Sequence, residues 1–493
     1  MSEFTDLDGL RDAVEAGLTS WLPRQRWYGA GSALRAVRCE VLAEIDRGAA
    51  LVAACIARVD HEDGSSVRYN VPLASGPVVG LHPSDPAAVV YEDGETVVFD
   101  ALADPRTAAP WWRVLASAAP VELPDGRLVP GGGEGLDPAV TEIAPLAREQ
   151  SNTSLIVGSE HLMKVMRRVV FEPSVELEMS RALAATGFDN VAATEAWLHY
   201  ERGDQPHGAL LALAQPYLHN ATEGWMLALT SLRDLYADAE EHMPGDAADR
   251  LQAVEDAGGS FTPDAARLGD ITARMHLALS RAAGEALTPR LIDAALLDGW
   301  ADEIRADLDS LVETGGDAVA RLAGRLEPLR TRVDAIRGLA RPGLAIRIHG
   351  DFHLGQVLRT DQGWTVLDFE GEPRRSVEHR RRLHSALRDV AGMLRSFDYA
   401  AAVALNERTT PTDPAWDHLA AHGRSWANAN REAFWASYIE RTTGSDLMPD
   451  PADALVLRRA FEIQKAVYEV QYEMAHRPTW VSVPLGFLLE ATA

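Results

Sequence analysis

Hydrophobic and polar positions change rhythm part-way along the chain. In the first hundred residues short runs alternate apolar with polar, as in 50–59 and 95–99, between Gly, Pro and Asp turns, which predicts antiparallel strands. The segment 120–138, PVELPDGRLVPGGGEGLDP, is rich enough in Pro and Gly to read as a long turn or linker. Across 155–170 an apolar run, the turn Gly158-Ser159-Glu160 and a second apolar run predict a hairpin with Lys164 in its second strand. A helical stretch begins near Pro173 and carries Glu176, Glu178 and Arg181, and 210–214 reads as another strand. Beyond about His219 the period lengthens to that of helices, as in 265–283, 319–339, 416–442 and 453–476. The one interruption is 345–369, two short strand-like runs around a polar loop, and no internal repeat of fixed period is visible. A β-rich part followed by a helical part with a polar hairpin inside it predicts an α+β, bilobal architecture of the protein-kinase type.

That polar hairpin carries the chemistry. It reads Ile346-Arg347-Ile348-His349-Gly350-Asp351-Phe352-His353-Leu354-Gly355-Gln356, then Trp364-Thr365-Val366-Leu367-Asp368-Phe369-Glu370. Taken singly, HGD is compatible with a polar turn and Asp368 with a helix cap. Together, 17 residues apart with a strand pattern between them, they have the layout phosphoryl transfer needs. Asp351 can orient an acceptor hydroxyl and take its proton. Gln356 and Asp368 offer the hard oxygens that Mg²⁺ prefers. His349 reads as a brace for the loop, and Glu370 as a supporting acid or as a ligand to a second metal. Upstream, Lys164 in an apolar strand and Glu178 on the next helix form the expected ion pair that holds ATP phosphates. No GxGxxG precedes them. Instead Arg148-Glu149-Gln150-Ser151-Asn152-Thr153-Ser154 enters the hairpin, and Ser151, Asn152, Thr153 and Ser154 are its candidate phosphate contacts. Gln215–218 is the expected adenine hinge. Pro216 has no N–H, so Tyr217 or Leu218 must donate.

Composition narrows the partners. A length of 493 residues predicts two or three units. The formal charge of −26 at pH 7 argues against nucleic acid or an anionic membrane as partner. No apolar run reaches the ~20 residues of a membrane helix, and the acidic, amphipathic N-terminal stretch does not resemble a secretory signal. Cys39 and Cys55 are the only cysteines, with no zinc spacing, so a reducing cytoplasm is expected. The run Arg374, Arg375, Arg380, Arg381, Arg382 reads as a solvated loop, and GGGEG, lacking a following GK[ST], as a flexible connector. On 453–476, Gln464, Tyr468 and Tyr472 share one helix face, either as a sugar-binding surface or as core. Trp480 has the same two readings. Arg388 and Asp389 form a structural ion pair or line the acceptor pocket.

The stretches HGDFHLGQVLRT (349–360), LDFEGEP (367–373), LRDVAGMLRSFDYA (387–400) and KAVYEVQYE (465–473) resemble maltokinase-type members of the aminoglycoside phosphotransferase superfamily. LPRQRWYGA (22–30), EQSNTS (149–154) and QPYLHNATEGW (215–225) resemble them too, so the resemblance spans nearly the whole chain. It implies a cap subdomain over 1–100, a β-rich intermediate part over 101–218 and a helical C-lobe over 219–493. It also implies ATP and Mg²⁺, with Asp351 as base and Gln356 and Asp368 as metal ligands. A related actinobacterial branch consists of glucosamine kinases. Gln464 stands where the maltokinase pattern usually has an acid before KAVYE, His384-Ser385-Ala386 replaces a Ser-Pro pair, and the acidic 232–262 stretch is long. These departures turn the reading from maltose towards glucosamine, phosphorylated on its 6-hydroxyl. Maltose, giving maltose 1-phosphate, is the alternative. Aminoglycoside phosphotransferase and a non-catalytic nucleotide-binding regulator are remoter ones. A glucosamine site is expected to cage the amine with acids, for which Asp351, Asp389 and Glu473 are candidates, and to close off the space for a second ring.

Overall fold

The alternating first half folds as two antiparallel sheets. The structure is a computed structural model that describes residues 9, 11–29, 32–48, 50–146, 151–241, 247–256, 260–284, 286–372 and 375–492. Its packing separates two units, Met1–Leu177 with Ala193–Leu218, and Glu178–Ala192 with His219–Ala493.

In the first unit one sheet runs Leu34–Arg47, Leu51–His61, Leu73–Pro77, Thr96–Asp100, Val89–Glu92, with Ser66–Asn70 on the side of Leu51–His61. Helix Arg11–Trp21 buries Val14, Leu18 and Trp21 against it. The second sheet has the order Val121–Leu123, Gly126–Gly132, Ala196–Glu201, Ala209–Pro216, His161–Met166, Asn152–Val157, Ile143–Leu146. Helix Pro105–Leu115 places Trp111 and Trp112 in an apolar cluster that takes Ile56 and Phe99 from one sheet and Leu155 and Leu198 from the other. The stretches before and after residue 100, expected as separate subdomains, therefore share a core. The expected linker at 120–138 is partly a hairpin, since Val121–Leu123 pairs with Gly126–Gly132 across the two-residue turn Pro124-Asp125. Its Asp-Gly step is a strong hairpin signal that the surrounding Pro and Gly obscured. A buried ion pair, Arg167 Nη2 to Asp100 Oδ2 at 2.5 Å, ties the sheets together, and Arg167 also lies 4.7 Å over the Trp27 ring.

The second unit is mainly helical. The 416–442 and 453–476 expectations appear as Trp416–Thr442 and Pro451–His476, and 265–283 as Thr262–Leu279. The single helix expected over 319–339 is broken into Gly316–Ala323 and Leu326–Asp334 with a short turn after it. Gly324 closes the first piece, and Pro328 sits in the first turn of the second, where no backbone N–H is needed. Three short strands, Thr222–Glu223, Val357–Thr360 and Gly363–Val366, form a small sheet, and Arg290–Leu291, Leu344–Ile346 and His384–Ser385 form another. These two sheets carry the polar loop onto the Leu387–Arg408 helix. Among the described residues no helix is long and apolar enough to cross a membrane.

Candidate active site

A buried carboxylate organises the loop at 349–352. Asp389, on the first turn of Leu387–Arg408, accepts from His349 N–H at 2.7 Å and Gly350 N–H at 2.9 Å. Its Oδ2 also receives His276 Nε2–H at 3.1 Å, while His276 Nδ1 accepts from the Tyr438 hydroxyl at 3.0 Å. Burial would raise the Asp389 carboxyl pKa, but these donors outweigh it and hold it below the usual range. Gly350 adopts φ of 85°, and a Cβ there would lie 3.3 Å from Gly371 Cα. Gly392 lets the loop lie on the helix, because a Cβ would meet Phe352 O at 2.6 Å. His349 sits between the rings of Phe352 and Phe369. It donates from Nε2 to Leu367 O at 2.7 Å and accepts Asp351 N–H at Nδ1, 3.4 Å away. The loop and the Asp368 segment are thus locked to each other. A second lock is the Leu367 N–H bond to Gln356 O at 2.9 Å.

Asp351 lies beside Lys465, whose Nζ is 3.0 Å from Oδ1, with His353 Nε2 3.9 Å from Oδ2. Burial pushes the Asp351 carboxyl up, yet the charges of Lys465 and His353 and the Lys465 hydrogen bond bring it down to about 2. Loss of water lowers His353 to about 4, against the pull of Asp351. For Lys465 burial is outweighed by Asp351, Glu469 and Glu372, so its pKa rises and it stays protonated. Asp351, Glu372, Gly392, Lys465 and Tyr468 line a cavity of about 540 Å³ and also a narrower recess of about 80 Å³. The recess continues to Arg375, His379, Arg388 and Gln464. The larger cavity continues to Glu223, Trp225, Tyr399, Tyr472, Glu473 and Trp480. All these residues belong to the second unit.

The structure sorts the expected acceptor residues. Tyr468 donates to Glu372 Oε1 at 2.8 Å and faces both cavities. Gln464 reaches the recess while hydrogen-bonding Asp307. Arg388 is held by His384 Nδ1 at 3.1 Å and lies 3.6 Å from Glu303. Asp389 also lines the recess, and both its oxygens accept from the loop N–H groups of His349 and Gly350, so it braces the loop just before Asp351. Glu473 is bound by Arg477 at 2.7 and 2.9 Å. Pro451–His476 continues the wall of the larger cavity two turns beyond Lys465. Sequence reasoning gave no role to Lys465, Glu372, Trp225 or Tyr399. Lys465 opens KAVYE and Glu372 lies in LDFEGEP, but only the non-local contact with Asp351 or Tyr468 distinguishes them from surface charges.

In the first unit Lys164 is buried, 3.3 Å from both carboxylate oxygens of Glu176, which corrects the expected pairing with Glu178. Two residues apart on a helix means roughly opposite faces, so one glutamate at most can meet the lysine. Glu178, in the second unit, binds Arg381 at 2.7 Å and Arg347 at 3.3 Å. The arginine run is only partly solvated: Arg382 is exposed, while Arg375, Arg380 and Arg381 are held by partners. Arg375 pairs with Glu303 at 3.3 Å and Arg380 donates to Glu370 O at 2.7 Å, while Arg374 lies outside the described residues. Asn152, Thr153 and Ser154 are strand residues, not loop. The Thr153 hydroxyl accepts from Arg167 at 2.8 Å and Ser154 is buried, so Ser151 and Asn152 are the better-placed of the four. Arg148, Glu149 and Gln150 lie outside the described residues. Of the two expected hinge donors, Tyr217 N–H is committed to Glu160 O at 2.7 Å.

Among the described residues no three His, Cys, Asp or Glu side chains converge as a metal-holding group. The Gln356 and Asp368 pair is of another kind, an amide and a carboxylate oxygen on backbone segments bonded to each other. Asp368 adopts φ of 53°, and its charge is felt at His353. Hard oxygens on a braced hairpin suit Mg²⁺ completed by phosphate and water ligands.

Residues 21–104 match the family model described as the maltokinase N-terminal cap domain. The chain is 31% identical over 386 residues to a glucosamine kinase of Streptacidiphilus jiangxiensis, covering 75% of this chain and 78% of that one. It is 29% identical over 352 residues to a glucosamine kinase of Mycolicibacterium smegmatis, covering 69% and 77%. A solved glucosamine kinase in complex with glucosamine, ADP and inorganic phosphate is similar over 99% of both chains, with a TM-score of 0.64 and 27% identity.

The electrostatics yield a direct test. Lys465→Met removes the charge that offsets burial, so the Asp351 carboxyl should titrate at or above the ~3.9 of a free aspartate. Carboxyl ¹³C shifts of aspartate-labelled protein would show this, and an unchanged low value would assign the depression to the histidines instead.

Proposed function

The chain belongs to the glucosamine kinase family, and we propose on that premise that it transfers the γ-phosphoryl group of ATP to the 6-hydroxyl of glucosamine. The observation that carries this reading is Asp351, ionised and fixed on a braced loop at the edge of a cavity walled by acids and aromatic rings. Its fold is the α+β, kinase-like one with an N-terminal cap, and a cytoplasmic setting suits an ATP-dependent enzyme whose two cysteines are free.

Each residue has a role its surroundings support. A carboxyl at about 2 is too weak a base to deprotonate an alcohol in advance. Asp351 therefore orients the hydroxyl and takes its proton as the new O–P bond forms and the bond to the ADP leaving group breaks, in keeping with a loose transition state. Lys465 keeps that carboxylate charged and aimed. Gln356 and Asp368 are the proposed Mg²⁺ ligands, and the metal supplies charge neutralisation at the phosphate oxygens. Lys164, fixed by Glu176, is the proposed contact to the nucleotide phosphates, with Ser151 and Asn152 at the strand entrance and the Leu218 N–H at the hinge. For the acceptor, Glu372 offers a carboxylate to the ammonium, Tyr468 offers its hydroxyl oxygen as an acceptor, and Gln464 and Arg388 offer donors to the hydroxyls.

Recognition of the amine predicts strong discrimination. A site built to pair a polar group rejects analogues that lack it by far more than an apolar pocket rejects a methylene. Glucosamine should give kcat/KM at least ~100-fold above glucose or maltose, with ³¹P–¹H correlation placing phosphate on the primary hydroxyl. Maltose turned over as well as glucosamine, with phosphate on its anomeric oxygen, would move the assignment to maltokinase. A second contrast tests the roles. Asp351→Asn should lower kcat ~10²–10⁴-fold while Mg²⁺–ATP affinity stays within about threefold. Asp368→Ala should abolish Mg²⁺-dependent nucleotide binding, and unaltered affinity in that variant would place the metal elsewhere.

A further inference from the structure

The cavity beside Asp351 is larger than one hexosamine requires. Its volume is about 540 Å³, whereas ~150 Å³ already accommodates a benzene ring. The extra room follows the end of Pro451–His476. Lys465 touches Asp351 at 3.0 Å, and Tyr472 lies on the same wall seven residues on. Seven residues of helix rise ~10 Å, enough for a second sugar ring. Trp225, Tyr399 and Trp480 complete the outer walls, and the first and last are partly exposed. Arg477 fixes the corner. It binds Glu473 twice and lies 4.5 Å over the Trp480 ring and 5.6 Å over that of Tyr472.

We propose that this outer region is a second subsite for an amino sugar linked to the ring at Asp351, so that β-1,4-linked diglucosamine is a phosphoryl acceptor alongside glucosamine. The inference rests on the glucosamine reading of the inner site. Aromatic faces suit pyranose rings and attract ammonium groups, and Glu223 adds a carboxylate at this end. A neutral disaccharide fits the volume but gives the carboxylates no cation. In the reaction the 6-hydroxyl oxygen of the inner ring bonds to the γ-phosphorus, its proton passes to Asp351, ADP leaves, and the glycosidic bond is untouched.

The test uses the full chain with ATP and Mg²⁺ and compares glucosamine with β-1,4-diglucosamine, product mass being the readout. The disaccharide should gain one phosphate with kcat/KM within about tenfold of glucosamine's. Trp480→Ala and Trp225→Ala should each raise the disaccharide KM at least about fivefold more than they raise that of glucosamine. A wild-type enzyme that phosphorylates glucosamine and leaves diglucosamine unmodified would overturn the second subsite. So would tryptophan variants that weaken both acceptors equally. Failure with glucosamine itself is a different result, which removes the inner-site reading and this extension with it.

Discussion

The site depends on one buried carboxylate. Asp389 has almost no solvent exposure, at 2%, yet carries a charge that burial alone would suppress. It does so because two backbone N–H groups and His276 surround it. Those N–H groups belong to His349 and Gly350, the residues just before Asp351. A charged acceptor makes hydrogen bonds roughly twice as strong as neutral ones, and a buried N–H left without a partner costs about 1–3 kcal/mol. The loop is therefore pinned to the Leu387–Arg408 helix at the point where a catalytic group needs a fixed position, and the Tyr438–His276 link extends the brace into the helical core.

Around that fixed point, charge is arranged in compensated pairs. Asp351 faces Lys465, Glu469 faces Arg395 at 2.9 Å, Glu473 faces Arg477, and Glu303 gathers Arg375 and Arg388. Burial would otherwise neutralise many of these groups. Pairing holds Asp351 and Glu303 well below the usual carboxylate range and fixes these side chains in place, which on the proposed reading gives a cationic sugar preset carboxylates. Preset groups need little reorganisation when substrate binds, which is where an enzyme gains most from electrostatics.

Much of this was legible in the sequence, for local reasons. Periodicity located the hairpin with Lys164 and the helices Trp416–Thr442 and Pro451–His476, because strong patterns of 2 and 3.6 leave few alternatives. The spacing of Asp351, Gln356 and Asp368 is itself local, a loop and a short hairpin. What stayed hidden depends on long-range packing. Glu176 and Glu178 are equivalent in sequence, and only the direction of the helix face decides which one meets Lys164. The arginines at 375–381 read as a solvated run because their partners Glu303 and Glu178 lie far away in the chain. Asp389 is one acid in LRDVAG until the loop is folded onto it.

The central claim is that Asp389 sets the position of Asp351, and turnover of Asp389→Asn at saturating ATP and glucosamine tests it most directly. The amide keeps the size but loses the charge and one acceptor oxygen, so the loop should lose its anchor. The account predicts that kcat falls ~100-fold or more while the protein remains folded by circular dichroism and its ATP affinity changes little. A folded Asp389→Asn enzyme with kcat within about threefold of the parent would contradict it.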